Sequence, residues 1–576
     1  MNKTFLSPAI SKEDTTTSIE NIELLRSYII GNDHSLVFFV GAGASMAGNT
    51  GMPSTPSLLY HLLAQALTSS GKFVLPGSVL QTTIKDISSR IGFEITLNDF
   101  WQICRQATSL LYESFAGVET KCVPNRVHAF LAHWLAIDGT VITTNYDRLI
   151  ERSGKQNGKT IQSRYRDTKS NSFEQWGQDL KNGGTLFKIH GSLDDPDSCL
   201  GALEHVGTRL SGNRAGLLAE IIHTRPLCFV GWQGIDPDIP ALMQEELEKR
   251  DPTLPIFWIH YEGNPSGSVS LQNAMEHCAE QIKPYAENKP ILTEADRAFG
   301  EMLNWVGIPA KANPARVCEA FDFSKAVHQC TKTGLTRMVG ITLRCAGRLD
   351  EAGPVLETAL ALAKTSGERS AAFQEISLLQ QQRTGKDTGE ARKSLEQARK
   401  ALEKEPDLRL QLNADFGTLS MSIISLQKSP WLILKIPGLF TRYKRDIETL
   451  RKKTGDRESV ALHTALFYLY SGRLRFKIFG GIRIAIRPLN NWILEPFDVA
   501  RSTIDDAKDI HLHSRVDVLA YRAIALAHLK HCHEAVKDMT EIGRLVGILK
   551  DEARSKHWEK QAQEIRRFCH ATLPGK

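Results

Sequence analysis

The sequence predicts an α/β half followed by an all-α half. Three observations support this. Between about residues 24 and 261, short and nearly continuous apolar runs alternate with helical patterns. Strands buried on both faces of a parallel sheet have that signature. Beyond about residue 301 the runs fade, and Ala, Leu, Lys, Arg and Glu recur at helical spacing. The length of 576 residues also exceeds what a single core serves.

In chain order, residues 1–23 form a polar segment rich in Ser and Thr, without the apolar core of a signal peptide. The expected strands are Leu36–Val40, Thr140–Thr144, Thr185–Ile189, Leu227–Val230 and Ile256–Ile259. Helical candidates lie beside them at Ser57–Leu67, Arg126–Leu135 and Ala215–His223. Strand, helix and strand in series predict crossovers and a Rossmann-like parallel sheet. Leu75–Val123 reads as a helical insertion, and Asn264–Asp296 as a poorly patterned connector. The α/β domain is therefore drawn at 24–300 and the helical domain at 301–576.

In the second half, Gly347–Ala352 leads into Val355–Ala363. Related patterns recur at Glu390–Leu395 with Ala398 and Leu402, and at Tyr521–Ala527 followed by His533–Ala535. Small Ala residues at helical spacing let paired helices approach closely. The pattern resembles degenerate tetratricopeptide-type hairpins and predicts a solenoid, although no regular period of about 34 residues emerges. An irregular helical bundle is the alternative.

Composition sets further bounds. Hydrophobic residues make up 41% and charged residues 24%, ordinary for a soluble globular chain. A net charge of +6 is small for this length and does not call for nucleic acid or a membrane surface. The basic run Arg473, Arg475, Lys477, Arg483 and Arg487 reads as a solvated face, with contact to nucleic acid or an acidic partner as the alternative. The longest apolar stretch, Trp431–Phe440, is too short to span a bilayer. The ten cysteines include no Cys-x-x-Cys pair, so no zinc site is expected. Scattered thiols suit a reducing cytosol, and a cytoplasmic location is expected.

Four strand ends carry chemistry. The first runs from Val37 through Gly41-Ala42-Gly43-Ala44-Ser45. Glycines let backbone approach a ligand, and free amides there suit a diphosphate. The pattern lacks the Gly-Lys-Ser/Thr of a Walker loop, and Met46 stands where a third Rossmann glycine would fall. The second is Thr143-Thr144-Asn145-Tyr146-Asp147. An Asn amide can hold a ribose hydroxyl or a water, and Asp can bind a carboxamide; helix capping explains both residues equally well. The third is Lys188-Ile189-His190-Gly191-Ser192, where an imidazole at the sheet rim can act as a general base. The fourth is Val230-Gly231-Trp232-Gln233-Gly234-Ile235-Asp236-Pro237-Asp238, with Asp236 or Asp238 as helix caps in the structural alternative.

Taken together and in this order, the four segments resemble the sirtuin superfamily, and most closely its branch in bacterial anti-phage defence proteins. The resemblance covers roughly residues 24 to 262. It implies NAD as substrate, with Gly41, Ala42, Gly43, Ser45 and Thr144 near the diphosphate and ribose. It implies Asn145 organising ribose and water, Asp147 at the nicotinamide amide and His190 as catalytic base. Gly231 and Gln233 would lie near the adenosine half. Protein-deacylating sirtuins carry a zinc lobe and an Asp-Phe-Arg after Gly-Ile-Pro. Here Gly51-Met52-Pro53 is followed by Ser54-Thr55-Pro56, and the paired thiolates are absent. The resemblance therefore implies an NAD hydrolase acting in abortive infection by NAD depletion. A deacylase and a non-catalytic NAD or ADP-ribose sensor are the alternatives. The helical half is expected to receive a trigger, either a partner protein or a nucleotide signal. A homo-oligomer or complex is expected; a membrane or nucleic-acid partner is not.

Overall fold

The structure is a computed structural model of the chain. It describes residues 12–31, 34–46, 50–70, 107–166, 173–200, 212–232, 238–247, 249–260, 288–292, 295–309, 322–384, 389–403, 407–424, 434–454, 457–479, 487–506, 512–529 and 531–549, with a few further single positions. The chain divides into two compact units. The first comprises Met1–Leu58, Thr108–Gly201 and Arg209–Lys325. The second comprises Leu59–Ala107, Ala202–Thr208 and Ala326–Lys576.

The first unit is built on a parallel sheet of seven strands among the described residues. These are β1 (Val37–Val40), β2 (Thr140–Thr143), β3 (Gln162–Arg164), β4 (Thr185–Lys188), β5 (Leu227–Val230), β6 (Ile256–His260) and β7 (Asn288–Leu292), in the spatial order β3-β4-β2-β1-β5-β6-β7. β1 is central, with Val37 in register with Thr140 on one side and Leu227 on the other. Its helices are α1 (Lys12–Ile30), α2 (Ala42–Met46), α3 (Thr55–Ser70, which continues past this unit), α4 (Ala107–Lys121), α5 (Arg126–Ala136), α6 (Leu149–Gln156), α7 (Phe173–Asn182), α8 (Gly212–Thr224), α9 (Ile239–Leu247) and α10 (Ala295–Trp305).

The continuous apolar runs follow from cover on both faces. Phe38 and Val40 pack with Leu25 and Ile29 of α1, Phe130 and Trp134 of α5, and Phe299 and Met302 of α10. Val37 and Phe39 point the other way, into Trp176 of α7, Leu218 and Ile221 of α8, and Leu242 of α9. Strand side chains alternate between faces, so every position of a doubly covered strand must be apolar. Phe38 meets the rings of Phe130, Trp134 and Phe299 at centroid distances of 5.5, 5.6 and 5.9 Å. Each such buried ring stabilises the fold by about 1.5–3 kcal/mol.

The five expected strands are present, and two more lie at the sheet edges. β3 reads Gln-Ser-Arg and is half exposed. β7 reads Asn-Lys-Pro-Ile-Leu and falls inside Asn264–Asp296, where a connector was expected. An edge strand has one free flank and tolerates polar residues and proline, so it lacks the apolar signature. α1 starts inside the polar segment 1–23. Of the expected helical insertion, α4 and residues 82–84 are described as helical.

Strand β1 has β2 on one side and β5 on the other, and the connections leave in opposite directions. The carboxyl ends of β1 and β5 therefore flank a topological switch point, where open α/β sheets bind ligands.

The second unit is helical. Its long helices are α11 (Lys332–Cys345), α12 (Leu349–Leu362), α13 (Ser366–Thr384), α14 (Gly389–Ala401), α15 (Leu408–Ile424), α16 (Ile436–Thr454), α17 (Arg457–Phe479), α18 (Arg487–Asp506), α19 (Leu512–His528) and α20 (Cys532–Leu549). The main packings join helices one or two apart in sequence, as in a stack of hairpins. Helix lengths range from 13 to 23 residues, which is why no fixed period is visible in the sequence. Arg473 departs from the expected solvated basic face: its guanidinium lies 4.5 Å from the Tyr470 ring and 3.7 Å from the Tyr521 ring. Arg475 pairs with Glu495 at 3.4 Å, and the side chains of Lys477, Arg483 and Arg487 lie outside the described residues. Among the described residues no helix is long and apolar enough to cross a membrane.

Candidate active site

The turn after β1 and the turn after β5 cross backbone to backbone. Gly41 N–H donates to the Val230 carbonyl at 3.0 Å, and Gly43 N–H to the Gly231 carbonyl at 2.9 Å. A Cβ on Gly43 would lie 2.8 Å from the Gly231 oxygen, and one on Gly231 only 2.2 Å from the Ala44 nitrogen. Gly231 also has φ +60°, a region that disfavours other residues. These glycines are thus required by the crossing itself. Ala44 N–H donates to the Gly41 carbonyl at 3.0 Å. Two of the amides expected to face a diphosphate, those of Gly41 and Gly43, therefore already have backbone acceptors. Ala42 is exposed at the start of α2, and Gln233 lies outside the described residues.

Beyond β2 the chain is pinned at each residue. Thr144 N–H donates to the Val40 carbonyl at 3.1 Å, and Asn145 N–H to Thr143 Oγ1 at 3.0 Å. Asp147 Oδ1 accepts from Leu149 N–H at 3.1 Å, two residues on and at the first position of α6, whose N-cap is Arg148. Its other oxygen turns inward, where Ser45 Oγ donates to Oδ2 at 2.8 Å. Asn145 Nδ2 donates to Ser45 Oγ at 3.1 Å and to the Gly41 carbonyl at 3.2 Å. Asn145 Oδ1 is buried and has no hydrogen-bond partner among the described residues. Ser45, Asn145 and Asp147, from two motifs a hundred residues apart, thus form one cluster.

His128 completes the cluster. Its Nε2 lies 3.2 Å from Ser45 Oγ. Asn125 caps α5 by accepting the His128 N–H at 3.0 Å, while Asn125 N–H donates to His128 Nδ1 at 3.1 Å. Burial, opposed in part by the Asp147 charge, lowers the His128 pKa to about 4. The ring is therefore neutral near pH 7.

The turn after β4 lies against this loop. Lys188 is fully buried; its Nζ donates to the Asp147 carbonyl at 2.6 Å and the Tyr146 carbonyl at 3.2 Å, and pairs with Glu151 at 3.2 Å. Leu193 N–H donates to the Tyr146 carbonyl at 3.0 Å, and Tyr146 Oη to the Leu200 carbonyl at 3.1 Å. The His190 ring centroid is 6.5 Å from that of Tyr146. Its Nε2 lies 3.1 and 3.2 Å from the two oxygens of Asp238, just before α9. Through Nε2, His190 thus faces Asp238. A carboxylate can only accept, so Nε2 carries the proton and Nδ1 is the basic nitrogen of the neutral ring.

Beneath the loop, the fully buried Glu119 holds two guanidinium groups. Arg148 donates to Oε2 through Nε at 2.9 Å and Nη2 at 2.8 Å, and Arg152 Nη1 reaches Oε1 at 3.1 Å. The α6 helix that follows Asp147 is thereby fixed on α4.

Residues 139–283 match the SIR2-like domain family. The match supports the sirtuin-superfamily resemblance and, with it, an NAD-related function. It spans about a quarter of the chain; it includes Asn145, Asp147, His190, Gly231 and Asp238 and begins after the Gly41–Ser45 turn. No curated protein matches the chain. Among the described residues, no group of three or more His, Cys, Asp or Glu could hold a metal ion.

The sequence reading missed His128, Glu119 and the pairing of Asp238 with His190. For His128 a signal existed: Asn125 precedes a helical pattern, and His stands three residues on, where a capping box places a reciprocal side chain. For Asp238 the cap reading was available, but its partner lies 48 residues away.

Proposed function

We propose that the first unit cleaves NAD by hydrolysis of the nicotinamide–ribose bond, as a regulated effector of anti-phage defence. The observation that supports this most is the cluster of Ser45, Asn145 and Asp147 beyond the carboxyl ends of β1 and β2, beside the switch point and partly within the SIR2-like match, with one buried acceptor, Asn145 Oδ1, left for a ligand hydroxyl or water. Such a donor is what a ribose or an attacking water offers.

In the reaction the C1′–N bond breaks with its electron pair passing to nicotinamide, a good leaving group because it departs from a cationic pyridinium. Positive charge develops on the ribose, as in other glycoside cleavages. Water oxygen bonds to C1′, and its surplus proton passes to a base. His190 fills that role, with Asp238 fixing the tautomer and stabilising the imidazolium that forms. General-base catalysis of this kind contributes about 10²–10⁴-fold. Asn145 orients the hydroxyl or water, so that little is left to chance encounter.

An NAD hydrolase without restraint would deplete its own cell. The helical unit is proposed to supply the restraint and to receive the trigger, in a homo-oligomer or a complex. The test is nicotinamide release from NAD by the full chain, wild type against Asn145→Ala, in cells with and without phage challenge. Release by wild type alone supports the reading; no release from wild type under challenge, or equal release from the variant, refutes it.

A further inference from the structure

We propose that His128 is a positioning residue: through Nε2–H on Ser45 it fixes the hydroxyl network that holds the Asn145 amide with Oδ1 turned toward the ligand. The proposal deepens the NAD-cleaving reading and rests on it for the identity of the ligand.

The hydrogen-bond directions follow from donor and acceptor chemistry alone. Asn125 N–H can only donate, so His128 Nδ1, 3.1 Å away, must be the lone-pair nitrogen. The neutral ring then carries its proton on Nε2, and Ser45 Oγ at 3.2 Å must accept it. Asp147 can only accept, so the Ser45 proton goes to Oδ2 at 2.8 Å. Gly41 can offer only a carbonyl oxygen here, so the end of the Asn145 amide 3.2 Å from it is the nitrogen. That nitrogen also reaches Ser45 Oγ at 3.1 Å. The hydroxyl now gives one hydrogen bond and takes two, which is its full capacity.

A flipped Asn145 would set its oxygen against the Gly41 carbonyl and against a hydroxyl whose proton is committed to Asp147. The network therefore admits one orientation, with Oδ1 buried on the far side as an acceptor. His128 supplies the one donor that fills the second lone pair of Ser45. Without it, Ser45 Oγ can turn, and its proton is no longer confined to Asp147. The ring itself is held in plane by the Asn125 capping box, and Asn125 Nδ2 donates to the Ala44 carbonyl at 2.8 Å next to Ser45. Helix α5 and the turn after β1 are thus tied together at the point where Asn145 is aimed.

Two isosteric substitutions separate positioning from mere capping. A Gln or Glu at this third helical position can accept the cap N–H through one oxygen. Only Gln then has an N–H left for Ser45. His128→Gln should rescue nicotinamide release to within about threefold of wild type, while His128→Glu lowers kcat about thirtyfold or more with KM for NAD little changed. His128→Glu buries a second acceptor beside Asp147 and should melt lower than His128→Gln, so kcat is compared below both melting temperatures, where circular dichroism shows each variant folded. Long-range ¹⁵N NMR of the histidine-labelled full chain should show the Nε2–H tautomer for the resonance lost in His128→Gln.

An Nδ1–H tautomer, or equal kcat in the two variants, overturns the proposal. Should wild type release no nicotinamide, the NAD reading falls on its own. Exchange of the Asn145 side-chain amide protons then decides the role of His128. Faster exchange in His128→Glu than in His128→Gln supports it, and equal exchange overturns it.

Discussion

Replacing Asp147 by Asn tests the cluster at its most constrained point. Asp147 accepts from Leu149 N–H at 3.1 Å on one oxygen and from Ser45 Oγ at 2.8 Å on the other. An amide has one acceptor atom and one donor, and neither placement works. With its nitrogen toward Leu149, two N–H groups face each other. With its nitrogen toward Ser45, it meets a hydroxyl whose lone pairs are taken by His128 and Asn145. One buried donor is left unpaired in either case, a cost of about 1–3 kcal/mol. Residue 147 carries the mismatch in either placement, and opening the start of α6 lets water satisfy it, so local opening there becomes easier. The Leu149 amide should exchange with solvent roughly 5- to 150-fold faster in Asp147→Asn than in wild type. Hydrogen exchange of α6, followed by mass spectrometry at fixed pH, reads this directly. Unchanged or slower exchange would show that Asp147 does not bridge Ser45 and the helix, and the geometry deduced for the cluster would be wrong.

Other outcomes follow from the same geometry. Asp238→Asn should lower nicotinamide release by about 10²–10⁴-fold with KM little affected, because the imidazole loses its orienting carboxylate; steady-state kinetics would expose an intact kcat. Glu119→Gln should cost about 3–5 kcal/mol, measured by urea unfolding, since Arg148 and Arg152 then share a neutral amide. Gly231→Ala should yield little folded protein, because its Cβ would lie 2.2 Å from the Ala44 nitrogen at a φ of +60°; normal soluble yield and melting temperature would contradict this. Burial lowers the folded-state His128 pKa to about 4 from 6.5, so between those values the unfolded chain binds the extra proton. Its contribution, on the order of 3 kcal/mol, is present above pH 6.5 and is lost as pH falls toward 4; unfolding of His128→Gln should show a correspondingly shallower acid slope.

The sheet was legible because its central strands are sealed on both faces. Phe38 and Phe39 must both be apolar, and such runs announce themselves. β3 and β7 were not legible, since one free flank relaxes the demand and a Pro or Arg is allowed. Of the candidate site, the strand ends named Ser45, Asn145, Asp147 and His190, and the structure brings the first three together. Sequence could not say which would meet. Ser45 joins Asn145 and Asp147 because β1 and β2 pair in parallel, a pairing set by tertiary packing. His190 meets Asp238 although β4 and β5 are separated by two strands, a pairing that no local pattern in the sequence announces. The glycine signal was ambiguous in a physical way. Gly41, Gly43 and Gly231 permit a close approach, but the body that approaches is the chain itself.

Lys188 has a consequence for how the protein can be watched. Its ammonium is enclosed, and all of its reach is spent on the carbonyls of Tyr146 and Asp147 and on Glu151. Amine-directed reagents will mark surface residues and leave this one untouched while the rim is intact. Covalent labelling at residue 188 therefore serves as a built-in tell-tale, silent in the native molecule and sounding only when the strand tip lets go of its neighbour.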